Sequence, residues 1–124
     1  EVSLFPPFAV KTSMVLSGKD TGRIDTPAEV AKETLSALLA TIPKEIPGIV
    51  FLSGGQNDDQ ATENLRAIHA LAKEKDVPWN LTYSYARAIQ EDALTAWKCL
   101  DENVPVAREA FLARLEKLTQ TYIV

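Results

Sequence analysis

The sequence is short of cysteine, histidine and basic charge, and each shortage removes a class of function. Cys99 is the one cysteine in 124 residues, so no disulfide can close within the chain. This points to a reducing compartment and a cytoplasmic setting. His69 is the one histidine, so no Cys/His cluster stands at zinc spacing, and neither a Ser-His-Asp order nor a phosphate-cradling Walker loop is present. His69 reads as a half-exposed helix residue and Cys99 as a structural thiol. Lys and Arg number 13 against 17 Asp and Glu, a net charge of −4. Nucleic acids and anionic membranes need a basic excess to meet their phosphates, so neither is an expected partner. A small phosphorylated ligand stays compatible, because a few local cations and helix ends can hold one. No apolar run approaches the roughly 18 residues of a membrane span. Residues 1–7 show no basic end leading into an apolar stretch, so they do not read as a secretory signal. What is left, 46% hydrophobic and 24% charged, is one segment over residues 1–124 with enough apolar material for a core.

Three short apolar runs are present, each followed by a helical pattern. The first, Phe8-Ala9-Val10, ends at Lys11 and leads into a polar loop around Ser17 to Gly22. Thr26, Pro27 and Glu29 then form a capping-box signal, and Val30, Thr34, Leu35, Leu38 and Leu39 recur at helical spacing. The second run, Ile49-Val50-Phe51-Leu52, is apolar throughout, as a strand covered on both faces would be. It leads through Ser53-Gly54-Gly55-Gln56 to a helix with Ala61, Leu65, Ile68, Leu71 and Ala72 on its buried stripe. Trp79 to Ser84 form the third run. A helix with Ala88, Ile89, Ala93, Leu94 and Trp97 follows, then a last one near Pro105 to Thr121 carrying Val106, Ala110, Phe111, Ala113, Arg114, Leu115 and Leu118. Strand and helix alternate with no hairpin signal, so the expected class is α/β with a parallel sheet.

Lys11, Ser53 and Ser84 each fall at the C-terminal end of a predicted strand, the edge where parallel α/β folds bind ligands. The two glycines after Ser53 allow close approach of an anion to the backbone, and a helix opening there would offer free N–H groups. Arg87 begins the helix after the third run, and its planar fork suits a phosphate. A surface arginine, a glycine turn that only turns and a lysine reaching into solvent are the ordinary readings of these residues taken singly. An inward Lys11, desolvated and near an arginine, would instead hold more of its amine free to attack a carbonyl. Asp58 and Asp59 read as carboxylates placed at a helix start.

Three motifs together resemble class I fructose-bisphosphate aldolase. Phe8-Ala9-Val10-Lys11-Thr12-Ser13-Met14-Val15 resembles its Schiff-base strand. Ile46-Pro47-Gly48-Ile49-Val50-Phe51-Leu52-Ser53-Gly54-Gly55-Gln56 resembles its phosphate-loop strand, and Leu81 to Gln90 with Ala93-Leu94 and Ala96-Trp97 its last strand and following helix. The resemblance implies the C-terminal portion of a TIM (β/α)8 barrel, about three βα units of parallel strands with outer helices. Lys11 falls on the Schiff-base lysine. Leu52, Ser53, Gly54, Ser84, Ala86 and Arg87 fall on the positions that hold the substrate's 1-phosphate. Ala86 stands where the family has glycine and would resist a positive φ; Thr12 and Ser13 replace the usual proline and asparagine.

The implied activity is that of a lyase: reversible cleavage of fructose 1,6-bisphosphate to dihydroxyacetone phosphate and glyceraldehyde 3-phosphate, in glycolysis. An iminium on Lys11 would act as the electron sink, so neither metal nor other cofactor is called for. The family's acid–base carboxylates and second lysine lie on earlier strands, which leaves a gap here. The expected partners are therefore a sugar-phosphate substrate, an upstream barrel segment or partner chain, and further copies in a homo-oligomer. A phosphate-binding module without catalysis and a structural fragment needing a partner chain are the other two readings.

Overall fold

A computed structural model describes residues 8–122; the opening segment 1–7 lies outside the described residues. Strand β1, Ala9–Thr12, is followed by a short 3-10 turn at Lys19–Thr21 and helix α1, Pro27–Thr41. Strand β2, Gly48–Phe51, leads to helix α2, Asp58–Lys75, and strand β3, Asn80–Tyr83, to helix α3, Arg87–Trp97. Helix α4, Val104–Thr119, and a 3-10 turn at Gln120–Tyr122 complete the described chain. The three strands are parallel in the order β1-β2-β3, with Lys11, Val50 and Thr82 in one row across the sheet. Each strand thus lies beside its neighbour in sequence, and β1 and β3 are both edges.

Local chemistry sets the helix starts. Thr26 caps α1 and completes the box with Glu29, whose carboxylate accepts from the Thr26 N–H at 2.8 Å, with Pro27 at the first helical position. Asn57 caps α2 by accepting from the Gln60 N–H at 2.8 Å. No side chain caps α3, and its first turn holds no acid.

The core lies between the sheet and α1 and α2. Ile49 and Phe51 of β2 are fully buried with Leu35, Leu65 and Ile68 from these two helices. Burying a side chain of that size stabilises by about 1.5–3 kcal/mol. Alternate residues on the opposite sheet face, Ala9 and Lys11 in β1 and Asn80 and Thr82 in β3, are exposed. Helices therefore cover one face only, as in barrel units whose other face is the barrel interior.

Several expectations are corrected. Leu39 is exposed because the apolar stripe of α1 runs through Ala31 instead. Ala88 is the buried member of the stripe expected in α3, while Leu94 of that stripe and Val106 of the stripe expected in α4 are exposed; Leu112 of α4, outside that stripe, is exposed as well. Cys99 is exposed at the end of α3, not a structural thiol. His69 is buried, its Nδ1 bonded to the Thr121 carbonyl at 3.0 Å. Among the described residues, no helix is long and apolar enough to cross a membrane.

Candidate functional site

The C-terminal ends of all three strands open into one concavity of about 350 Å³. Lys11, Leu52, Ser53, Gly54, Ser84, Ala86 and Arg87, the full set expected from the sequence, line it together with Lys19 and Gly55. Parallel pairing is the reason: it brings the ends of successive strands to the same edge, whatever their separation in sequence. Among the described residues, the lining holds three cations, two serine hydroxyls and no carboxylate, although the chain as a whole is acidic.

Each part of the rim has a local cause. In β1, Val10 packs toward the helices and Lys11 points to the open face, where its Nζ donates to Ser84 Oγ at 3.3 Å. Lys11 is exposed, so these three strands alone do not supply the desolvation that an inward lysine was expected to have. After β2, the chain turns through Gly54 at φ +61 and Gly55 at φ +80, a left-handed pair that other residues adopt only under strain. The turn is fastened by Gln56, whose N–H and side-chain amide both donate to the Ser53 carbonyl, at 3.1 and 2.8 Å. Buried Asn64 of α2 then donates to the Gln56 side-chain oxygen at 2.6 Å.

Two expectations about anion binding change. Helix α2 opens only at Asp58, beyond the glycine turn, and Asn57 already serves its first turn, which carries Asp58 and Asp59. Of the helices that follow a strand, the one left without a side-chain cap is α3, which starts at Ala86 and Arg87 on the rim. Its backbone N–H groups carry partial positive charge and favour an anion. Ala86 has φ −106, an ordinary backbone for alanine, so the expected resistance to positive φ does not arise.

Arg114 ties together the helices α2 and α3 behind the concavity, a role its place in the sequence does not reveal. It sits in the apolar stripe of α4, yet it is 4% exposed and surrounded by acids. Its Nε and Nη2 donate to Asp92 of α3 at 3.0 and 2.6 Å, and its Nη1 donates to Asp59 of α2 at 3.1 Å. Asp58 lies 3.8 Å away. Burial works against the guanidinium charge, but the hydrogen bonds and charges of Asp92 and Asp59 outweigh it and hold the Arg114 pKa above its ordinary value. Burial pushes the Asp58 carboxyl up, against the pull of Arg114, and the charges of Asp92 and Glu91 push the same way. One side chain thus fastens the helix that follows the glycine turn to the helix that begins with Arg87.

Lys19 was also missed as a site residue. It lies in the polar loop after β1, which has no apolar period to reveal its course. Membership of a loop at the sheet's C-terminal edge is the signal that could have found it.

Comparison with known proteins places this geometry. The family described as class-I fructose-bisphosphate aldolase, glycolytic, matches residues 4–122. The chain is 49% identical over 105 residues to a protein of Arabidopsis thaliana named fructose-bisphosphate aldolase 4, cytosolic, covering 85% of this chain and 26% of that protein. It is 44% identical over 107 residues to fructose-bisphosphate aldolase B of Gallus gallus, covering 86% of this chain and 29% of that protein. A solved structure of fructose-bisphosphate aldolase from Plasmodium falciparum superposes with a TM-score of 0.83 at 41% identity, covering 92% of this chain and 32% of that one. The chain therefore spans between a quarter and a third of the length of these relatives.

Proposed function

Because the chain belongs to the class I fructose-bisphosphate aldolase family, we propose that it supplies the Schiff-base lysine and the 1-phosphate grip of an enzyme that cleaves fructose 1,6-bisphosphate reversibly. The observation that carries this is the concavity itself, where Lys11, Ser53, Ser84 and Arg87 meet. In this reading the Lys11 amine adds to the substrate ketone and water leaves, giving an iminium. As a base on the upstream segment or partner chain takes the proton of the hydroxyl on the fourth carbon, the cation accepts the electron pair of the bond between the third and fourth carbons, so that bond breaks to glyceraldehyde 3-phosphate and an enamine. Protonation and hydrolysis of the enamine release dihydroxyacetone phosphate and restore the amine.

The phosphate has a distinct role. Arg87, the Ser53 hydroxyl, the turn through Gly54 and the uncapped start of α3 at Ala86 hold it, and the ketone is thereby placed over Lys11. Leu52 forms an apolar part of the wall. The Ser84 hydroxyl, 3.3 Å from Lys11 Nζ, orients the amine beside the phosphate.

Residues 1–124 act as one piece of a barrel, with the acid–base groups on a segment upstream or on a partner chain. The uncovered sheet face, the two sheet edges and the exposed Leu94, Val106 and Leu112 support burial against further protein, including other copies in a homo-oligomer. The cytosolic names of the relatives support a cytoplasmic setting. A second reading, a sugar-phosphate binding module without catalysis, is favoured by the lack of any carboxylate in the lining and by the exposed Lys11.

One experiment separates the two. The intact protein is incubated with dihydroxyacetone phosphate, reduced with borohydride and digested for mass spectrometry. A reduced adduct on Lys11, lost in Lys11→Met, is the expected result. Phosphate binding without any adduct on Lys11 would overturn the lyase reading in favour of the binding module.

A further inference from the structure

We propose that Lys19 is a second cation of the phosphate site beside Arg87, closing over the ester from the loop after β1 and selecting doubly charged phosphate esters over uncharged ketoses. The proposal rests on the reading of this concavity as the phosphate site. Nothing in the three resemblance motifs includes Lys19; four structural observations carry it.

Lys19 lines the same concavity as Ser53, Gly54 and Arg87. Its head group lies over the glycine turn: a Cβ added to Gly55 would stand 3.3 Å from Lys19 Nζ. The lack of a side chain at Gly55 is thus what leaves room for the ammonium beside the turn.

The loop bearing Lys19 is fastened at its base. The Ser17 N–H and hydroxyl donate to the two oxygens of Asp25, both at 2.6 Å. These bonds hold the Asp25 carboxyl below its ordinary pKa, so the fastening persists further into acid than an unbonded carboxylate would. A fixed base shortens the range over which the lysine head must be ordered when an anion binds.

The charges on this loop are divided. Arg23 is engaged by Asp25 at 3.1 Å and Glu29 at 2.6 Å. Lys19, in contrast, makes no ion pair among the described residues, and neither does its neighbour Asp20. Three cations without carboxylate partners among the described residues, Lys11, Lys19 and Arg87, therefore surround one opening in a chain of net charge −4. Like charges held together repel unless an anion joins them, so a dianion gains from Lys19 and Arg87 at once. Lys11 faces the ketone in the proposed reaction, which leaves Lys19 and Arg87 to divide the phosphate between the first and third strand loops.

The test is made on the intact protein with inorganic phosphate, dihydroxyacetone phosphate and unphosphorylated dihydroxyacetone as probes. Lys19→Met should weaken binding of both phosphate probes by roughly tenfold or more, the scale of one lost charge-assisted bond. Lys19→Arg should stay within about threefold of the unaltered protein, because it keeps the charge. Borohydride trapping of dihydroxyacetone on Lys11 should be unchanged in Lys19→Met, a split that mere disturbance of the loop would not produce. Loss of that trapping in step with phosphate binding would overturn the proposal. So would phosphate affinity within about twofold of the unaltered protein in Lys19→Met while Arg87→Met loses it; the phosphate site itself would then stand. Absence of phosphate binding in the unaltered protein would overturn both the site and the role of Lys19.

Discussion

Replacing Arg114 with methionine should cost stability and phosphate affinity together, and its dependence on pH identifies the cause. Methionine keeps most of the buried stem and removes the guanidinium from among Asp58, Asp59 and Asp92. Breaking a buried pair by removing one partner costs about 3–5 kcal/mol. Asp92 and Asp59 have side chains 45% and 79% exposed and can turn to water. Asp58, at 7%, cannot, so the lower end, about 3 kcal/mol at neutral pH, is expected. The sign with pH follows from Asp58. Its folded pKa already lies above the ordinary 3.8 and rises further once Arg114 is gone, since Asp92 and Glu91 remain. A raised folded pKa means that the folded state binds the proton more tightly than the unfolded one, so acid favours folding at this group. The deficit of Arg114→Met should therefore be largest at neutral pH and shrink as pH falls through the raised value. Denaturant midpoints of the intact protein at several pH values read this directly, and Asp58→Asn placed on top of Arg114→Met should recover part of the loss. A deficit that does not change with pH, together with strict additivity of the two substitutions, would refute the reasoning. Phosphate affinity should fall in the same variant, because the tie between the glycine turn's helix and Arg87's helix is cut.

Gly55→Ala should lower stability by about 1 kcal/mol, the scale of forcing a side chain into left-handed backbone, and should weaken phosphate binding by displacing Lys19; unchanged affinity would dissociate the two. Burial lowers the His69 pKa from 6.5 despite backbone hydrogen bonds at Thr121 and Leu81. The folded state thus resists a proton that the unfolded state accepts, so its stability contribution is complete above about pH 6.5 and declines below it. Denaturation of the protein and of His69→Gln between pH 8 and 5 should show the unaltered protein losing ground relative to the variant on acidification. A constant difference would count against this.

Strands and capped helices were legible because their signals are local. Thr26, Pro27 and Glu29 mark the start of α1 within four residues, and the apolar run ending at Leu52 marks β2 to within a residue. The ends of parallel strands then converge by topology, which is why the sequence alone places Lys11, Ser53, Ser84 and Arg87 at one edge. Features that depend on distant partners were not legible. Arg114 lies 22 and 55 residues from the acids that it bonds, Asp92 and Asp59, so periodicity could only assign it to a stripe. His69 is buried by the chain around Thr121, 52 residues away. Leu94 and Val106 follow helical spacing faithfully but face outward, because an amphipathic pattern states that a face is apolar and not what covers it.

The row that joins Lys11 to Val50 and Thr82 has a consequence for how this segment can change over generations. Side chains alternate along a strand, so losing or gaining one residue within β1 would turn the amine from the open face to the side packed under the helices. The loop between Met14 and Thr26 has no such parity to keep. Length variation is therefore less restricted there than a few residues earlier, provided that the Ser17–Asp25 fastening and the place of Lys19 beside Gly55 are kept. The reading frame of a four-residue strand, more than the identity of its neighbours, keeps the amine within reach of the concavity.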